Sequence, residues 1–450
     1  MKALFSRIRH FLSEDRVFSR VLKNTGYLFS STTIGLLLSL VQSIFAARLL
    51  GVAAFGLIGI LTTFVSNVSR LFSFRMGEFI VRYLGKELTE ENRQKAGAVV
   101  KIAMKIEGAT SIIAFVVLML LAPVGAKYFA KDIQTLPLIQ LYGFSILAKM
   151  FSETSIGFLQ ITNRFRIQAM INLAQSVITA LLIFIAFLVD GSIYFVLIAY
   201  LVGKIILGVS PFILALYYLP GQLGRGWWKT PLAVLPPFRE IALYTLSTNL
   251  SGTVKMVASE SEPLLLGYFL DQRAVGLYKL ALSIVNPLMM PITPFISTTF
   301  PEMTRSIVAK SWDQLRKLLR RVTLISAGWT GLVWLVMLVL GRWLIQLFYG
   351  SEFVPAYPVT MLLLVGFGVA NIFFWNRSLL LSFGKANIPL YVLLVTAIVK
   401  TALAFWIVPQ MGIMGEGYLL TGYLVISTGV LVFIGLRTIS KTSARSGEVA

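Results

Sequence analysis

The sequence contains no cysteine and a single histidine, His10, among its 450 residues. These absences exclude disulfides, thiolate metal sites, cysteine nucleophiles, and histidine-based metal centres or proton relays. Charge is also scarce: only 13% of the residues are charged, and 40 Lys and Arg outnumber 19 Asp and Glu. No GxxxxGK[ST] loop occurs anywhere in the chain, so direct ATP hydrolysis is not expected.

Most of the remaining sequence is apolar. Hydrophobic residues make up 57% of the chain and the mean hydropathy is +0.82, which is typical of a polytopic membrane protein. About 20 apolar residues cross a bilayer as a helix, and windows of that length predict an all-α fold with about 12 transmembrane spans. The predicted spans are 24–47, 54–74, 97–122, 136–160, 167–189, 193–218, 240–269, 275–300, 322–340, 357–382, 387–408 and 415–436.

The distribution of Lys and Arg predicts the orientation of these spans. The N-terminal segment and alternate breaks between spans are rich in basic residues, whereas the intervening breaks hold only Arg48, Lys127, Lys131, Arg273 and Arg342. Because basic flanks stay cytoplasmic, both termini are expected on the cytoplasmic side of a bacterial or archaeal inner membrane. This topology and anionic headgroups explain the net charge of +21, so no nucleic-acid partner is expected.

A weak internal repeat divides the chain. Residues 50–57 reappear as 270–277, and residues 159–167 reappear as 380–388, both at an offset of about 220 residues. A duplication of six spans predicts two lobes related by a pseudo-two-fold axis along the membrane normal, with the substrate between them. The predicted organisation is a cytoplasmic N-terminal segment (1–23), an N-lobe (24–218), a cytoplasmic linker (219–239), a C-lobe (240–436) and a cytoplasmic tail (437–450).

Four lysines fall near the middle of different predicted spans: Lys149, Lys204, Lys255 and Lys400. A charge at that depth costs at least about 2.5 to 3.5 kcal/mol, so it persists where it faces protein or a water-filled cavity. Converging lysines indicate an anionic guest, and Arg377, nearer the cytoplasmic end of its span, is a further candidate for the cavity. The alternative is that each cation packs against a carbonyl or carboxylate and only fixes contacts between helices.

Carboxylates within the spans are candidates for ion coupling, because transporters use such groups to bind Na⁺ or to exchange protons. The candidates are Glu107, Glu153 and Glu260, with Na⁺ or H⁺ as the coupling ion and no other cofactor or metal expected. Glu153 lies one helical turn from Lys149, so an ion pair between the two is the alternative. Pro287 and Pro291 predict a bend, and a candidate hinge, in the span 275–300.

Residues 48–57 (RLLGVAAFGL) and 266–278 (LGYFLDQRAVGLY) resemble paired signatures of the Wzx-type polysaccharide flippases. These belong to the multidrug/oligosaccharidyl-lipid/polysaccharide (MOP) exporter superfamily, whose pattern residues 347–353 (LFYGSEF) and 238–240 also resemble. The resemblance implies two MATE-like six-helix lobes around a central cavity. It also implies transport of undecaprenyl-diphosphate-linked oligosaccharide, a repeat unit of O-antigen (lipopolysaccharide), capsule or exopolysaccharide, from the cytoplasmic to the outer leaflet by alternating access. A polysaccharide polymerase and a chain-length regulator are candidate partners beside the lipid bilayer.

Three alternatives stay open. A MATE-type multidrug or cation antiporter has the same fold, but its cationic guests favour carboxylates and aromatic residues, whereas basic residues outnumber acidic ones at mid-span here. A lipid II flippase shares both the fold and the anionic guest. A membrane glycan polymerase is more remote, because it needs catalytic residues on sizeable loops and the predicted outer loops are short.

Overall fold

A computed structural model describes residues 16–232, 235, 249, 253, 256–257, 260–385 and 387–447. This part of the chain is helical and contains no strand, which confirms the predicted all-α class. The α-helices are Arg16–Leu71 (α1), Met76–Phe79 (α2), Gly85–Thr89 (α3), Arg93–Val124 (α4), Leu136–Ala148 (α5), Ser152–Ile161 (α6), Phe165–Leu188 (α7), Ile193–Leu223 (α8), Glu262–Phe269 (α9), Gln272–Met289 (α10), Thr293–Val308 (α11), Trp312–Tyr349 (α12), Tyr357–Ile372 (α13), Asn376–Ser382 (α14) and Asn387–Gly447 (α15). Short π-helical segments lie at Ile80–Leu84 and Gly125–Phe129, and 3₁₀ segments at Ile133–Thr135, Trp227–Lys229, Met290–Ile292 and Ser351–Ala356.

Eight helical segments of the described residues are long and apolar enough to cross a membrane. Two of them, Ser30–Leu71 and Asn387–Ala444, are 42 and 58 residues long, well beyond the roughly 20 residues that one crossing needs. Each bends at a glycine with positive φ, Gly51 (φ 72°) and Gly412 (φ 60°), a backbone conformation that side-chain-bearing residues rarely adopt. Each of these segments therefore corresponds to two predicted spans.

Other predicted spans are broken or fall largely outside the described residues. The span 136–160 divides into α5 and α6, and the span 275–300 divides where the 3₁₀ turn Met290–Ile292 separates α10 from α11. Pro287 lies in the last turn of α10 and Pro291 in the 3₁₀ turn itself, so the helix changes course where the prolines predicted a bend. Of residues 240–259, only 249, 253 and 256–257 are described.

The chain forms two compact units. The first unit comprises residues Met1–Gln42, Val68–Ala122 and Pro137–Gly252. Its buried core is built by the apolar faces of α2, α4, α6 and α8, together with Trp227; its members include Met76, Phe79, Val99, Val100, Phe158, Leu159, Leu219 and Leu223. This packing holds the C-terminal half of α6 against α4, α8 and the region just after α1.

The second unit comprises residues Ser43–Asn67, Pro123–Leu136 and Thr253–Ala450. One of its buried clusters joins α11, α12, α14 and α15; its members are Met303, Leu315, Leu319, Val322, Trp375, Leu379 and Ile439. Two segments from the first half of the sequence, 43–67 and 123–136, thus belong to the same unit as the second half. The lobes predicted at 24–218 and 240–436 stay a prediction.

Within the second unit, α1 crosses α10 at a pair of glycines. A Cβ atom on Gly56 would lie 1.8 Å from the carbonyl oxygen of Gln272, and a Cβ on Gly276 would lie 2.0 Å from that of Val52. Only glycine permits such an approach of two backbones. Positions 56 and 276 are equivalent in the sequence repeat, as are 52 and 272, so the contact has the two-fold relation that the repeat predicts.

Polar contacts surround this crossing. The Arg48 guanidinium donates to the carbonyl oxygen of Phe348 at 2.7 Å and also to that of Leu347, at the C-terminal end of α12. The Gln272 amide donates to the Ala130 carbonyl oxygen at 2.7 Å. A residue beside the Gly51 bend is therefore hydrogen-bonded to the C-terminal end of α12, and the 123–136 segment is hydrogen-bonded to the first residue of α10.

Candidate functional site

The first unit contains a cavity of about 250 Å³ at the break between α5 and α6. Residues Lys149–Phe151 form a turn there, in which the Lys149 amide donates to the carbonyl oxygen of Ile146 at 3.2 Å. The cavity is lined by Ser69, Arg70, Phe72, Ser73, Phe74, Glu107, Thr110, Ser111, Ala114, Ile146, Lys149, Ser152 and Glu153. Because the helix is interrupted, side chains from α1, α4 and α6 converge on the same space.

Three cations lie close together at this cavity. Arg70, from the last turn of α1, and Lys149 line it, and Lys204 of α8 is near enough for its charge to act on Lys149. Within the part of the chain that the structure describes, no carboxylate lies within the 4.0 Å of an ion pair with the Lys149 ammonium. The alternative pairing of Lys149 with Glu153 is therefore not formed.

Glu107 binds the start of α6. Its Oε1 accepts a hydrogen bond from the backbone nitrogen of Glu153 at 2.8 Å, and its Oε2 accepts one from that of Thr154 at 3.0 Å. The side chain is buried, and a carboxylate at this position satisfies amide groups that have no partner within their own helix. The structure thus gives the predicted coupling residue Glu107 a structural contact at a helix N-terminus.

Glu153 presents its carboxylate to the cavity, where its Oε1 accepts a hydrogen bond of 2.8 Å from the Ser73 hydroxyl. Further hydroxyl groups line the same space, from Ser69, Thr110, Ser111 and Ser152. Hydroxyls both donate and accept hydrogen bonds, whereas Arg and Lys only donate. The cavity therefore offers cationic donors, hydroxyl groups and the partly buried carboxylate of Glu153 to a polar, oxygen-rich guest.

Lys400 does not line this cavity. It lies in the second unit, is 3% exposed, and its Nζ is 2.9 Å from an oxygen of Glu262 and 2.9 Å from an oxygen of Glu416. Lys400 and Glu416 are brought together by the bend of α15 at Gly412, and Glu262 comes from the first turn of α9. The sequence placed Lys400 in a wet cavity, whereas the structure buries it between two carboxylates.

The remaining predicted residues are scattered over the second unit. Glu260 lies in the turn before α9, where its amide donates to the Met256 carbonyl oxygen at 3.0 Å. Arg377 is exposed on α14. Lys255 lies outside the described residues, so its predicted place in a cavity with the other lysines stays a prediction. The sequence analysis did not select Arg70, Glu262 or Glu416, although each is a charged residue in an apolar stretch.

Two family profiles match the sequence of this chain. The sequence profile of the family described as polysaccharide biosynthesis protein matches residues 21–307, more than half of the chain. The MatE profile matches residues 259–406.

Among curated proteins, the inner membrane protein YghQ of Escherichia coli (strain K12) is 25% identical over 356 residues, which cover 78% of this chain and 98% of that protein. This relative, described as an inner membrane protein, and the many apolar helices among the described residues support a multi-pass inner membrane protein.

Solved structures of low sequence identity share the fold. An inward-facing multidrug resistance MATE family transporter of the MOP superfamily superposes with a TM-score of 0.70 at 14% identity, covering 90% of this chain and 95% of that one. The lipid II flippase MurJ, in an inward closed conformation, superposes with a TM-score of 0.71 at 14% identity, covering 93% and 90%. These similarities confirm the predicted fold, and the two solved proteins that share it are a transporter and a flippase. The chain belongs to the polysaccharide biosynthesis protein family and has the fold of the MOP-superfamily membrane transporters.

Proposed function

We propose that this chain is a flippase for undecaprenyl-diphosphate-linked oligosaccharide, moving the repeat unit of a surface polysaccharide from the cytoplasmic to the outer leaflet by alternating access. The family match and the transporter fold support this class of activity. In this proposal both termini are cytoplasmic, and a polysaccharide polymerase and a chain-length regulator act on the product. Na⁺ or H⁺ supplies the driving force, and the break at Pro287 and Pro291 serves as a hinge.

The observation that carries the proposal is that Arg70 and Lys149 line one chamber of the first unit, with Lys204 near enough for its charge to act on Lys149. Like charges repel one another, and a charge buried in an apolar stretch is costly. A diphosphate offers the compensating negative charge, and the mobile ammonium groups of lysine bind it without fixing one geometry. The neighbouring hydroxyls suit the sugar oxygens that follow the diphosphate.

The experiment is complementation of a strain from which the gene has been deleted. Loss of the protein should cause undecaprenyl-linked glycan to accumulate on the inner leaflet, and the intact chain should restore export. Export should fail with the double variant Arg70→Met/Lys149→Met and persist with Arg342→Met, the matched change at an exposed arginine. Accumulation of lipid II instead of the glycan would favour a lipid II flippase, and accumulation of neither lipid would overturn the proposal.

A MATE-type antiporter of organic cations is the second candidate, favoured by the Glu153 carboxylate in the cavity and by the MatE match at residues 259–406. A cationic guest would pair with Glu153. Under this alternative, deletion increases sensitivity to cationic drugs, and Glu153→Gln fails to restore resistance. Unchanged drug sensitivity in the deletion strain rejects it.

A further inference from the structure

We infer that Glu262, Lys400 and Glu416 form a proton-binding site, and that the ammonium group of Lys400 excludes Na⁺ from it, so that the transporter is driven by protons. The coupling part of this inference rests on the proposed function. Proton binding itself does not, because it is a property of the purified protein.

The three side chains are buried together in the second unit. The Lys400 ammonium lies 2.9 Å from each carboxylate, and the side chains of Glu262, Lys400 and Glu416 are 2%, 2% and 0% exposed. The Glu262 contact is a hydrogen bond in which the ammonium donates to Oε1. These contacts join α9 to both arms of α15, on the two sides of the Gly412 bend.

The charges of this cluster do not cancel. Two carboxylates and one ammonium leave one negative charge in a buried site, and an uncompensated buried charge is strongly unfavourable. One proton on either carboxyl group makes the cluster neutral. The proton comes from water when the site is accessible and returns to water when the carboxylate reforms, so no bond other than O–H is made or broken.

A second observation points to a ligand at this cluster. Tyr278 of α10 is fully buried and its hydroxyl has no hydrogen-bond partner, while the charges of both Glu262 and Glu416 act on it. This hydroxyl can donate to a carboxylate and can accept from a protonated carboxyl group, so Tyr278 can serve as a hydrogen-bond partner in both protonation states of the site.

Among the described residues, few other titratable groups lie on the elements packed against this cluster, and Lys279 of α10 contacts Phe55. Tyr423 of α15 interacts with the charges of Lys400 and Glu262. Glu260 lies two residues before Glu262 in the turn that precedes α9. Helix α13, which packs against α10 and α15, has no charged residue. A change in protonation here therefore falls on the two glutamates.

The same geometry disfavours Na⁺. A hard cation is bound by several oxygen ligands, with carboxylate and carbonyl groups preferred. Here the ammonium of Lys400 already contacts an oxygen of each carboxylate and occupies the position of such an ion. A proton binds to a carboxylate oxygen without displacing the Lys400 ammonium. Na⁺ would have to displace the ammonium or bind beside it against the repulsion between the two positive charges.

The test uses the full-length protein in detergent, with proton release measured by a pH-indicator dye as the pH is raised from about 6, where exposed carboxyl groups with an ordinary pKa of about 4.3 are already ionised. The titration is run with and without Na⁺. The wild type should release about one proton per chain more than Glu416→Gln or Glu262→Gln. The exposed Glu302→Gln is the matched control in the same unit and should behave as the wild type. Na⁺ should change neither the proton count nor the melting temperature of the wild type.

Lys400→Met tests the role of the ammonium. With the lysine removed, Na⁺ should raise the melting temperature of the variant, because two carboxylates then face an unoccupied position. The charge-matched pair Lys400→Met/Glu416→Gln provides a second variant if a single change prevents folding. Stabilisation of the wild type by Na⁺, or equal proton release from the wild type and both Gln variants, would overturn the inference. A protein that releases the proton but exports no glycan would overturn the proposed substrate alone.

Discussion

Gly56 of α1 and Gly276 of α10 lie where the two helices cross, so close that a Cβ on Gly56 would lie 2.6 Å from the backbone nitrogen of Gly276. Since the two residues are equivalent in the sequence repeat, each half of the chain contributes the same small residue to the crossing. A substitution at either position is therefore expected to have a similar effect.

Gly56→Ala and Gly276→Ala should each destabilise the protein by about 1 to 3 kcal/mol, because the added methyl group meets backbone atoms that cannot move independently. Thermal unfolding in detergent measures the effect. Gly328→Ala is the matched control, since Gly328 also lies in a helix but has no atom within 4 Å of an added Cβ. Equal melting temperatures for all three variants would contradict the close crossing.

Glu107→Ala should lower the stability of the protein by about 1 to 3 kcal/mol, because two amide groups at the start of α6 lose their acceptor in a buried place. The measurement is again thermal unfolding. Glu78→Ala, on an exposed carboxylate of the same unit, serves as the control. If Glu107 acted only in ion coupling, its replacement would alter transport and leave the melting temperature unchanged.

Lys149→Met should reduce glycan export at least about tenfold, whereas Lys149→Arg should retain part of it, because the charge that meets an anionic group is kept. Export is measured by surface polysaccharide in the complemented deletion strain, at equal protein abundance. Export by Lys149→Met at the wild-type level would show that this cation does not contribute to substrate binding.

Arg48→Met should destabilise the second unit by about 1 kcal/mol, because the carbonyl groups at the C-terminal end of α12 lose a charged donor. Arg342→Met removes an exposed arginine from the same helix and should have a smaller effect. Unfolding in detergent compares the two variants, and an equal loss of stability would contradict a specific role for Arg48.

The helical class and the symmetry-related glycines were predictable from the sequence, because hydropathy over 20 residues and a repeated pattern both report directly on structure. The environment of Lys400 was not predictable from the sequence. Its partner Glu262 lies in α9, and its partner Glu416 lies in α15 beyond the bend at Gly412, which brings it close to Lys400. A charged residue in an apolar window predicts that its side chain is buried. Which side chains contact it depends on packing between segments that are distant in the sequence.

The break in the span 136–160 was also missed. Lys149 and Glu153 are four residues apart, a spacing that brings two side chains together only along an uninterrupted helix. The turn at residues 149–151 removes that relation, so the carboxylate of Glu153 bonds to Ser73 instead. The nearest glycines, Gly143 and Gly157, lie six residues away on either side of the turn, so no glycine or proline marks the interruption itself.

The carboxylate of Glu107 has a consequence for specificity. The amide groups that open α6 form the kind of dipole that commonly captures phosphate, but the Glu107 carboxylate already accepts their hydrogen bonds. Under the proposed function, an incoming headgroup is therefore recognised by the arginine, lysine and hydroxyl side chains of the chamber. Selectivity among glycan lipids would then change through single side-chain replacements, with the polypeptide framework of the chamber left as it is.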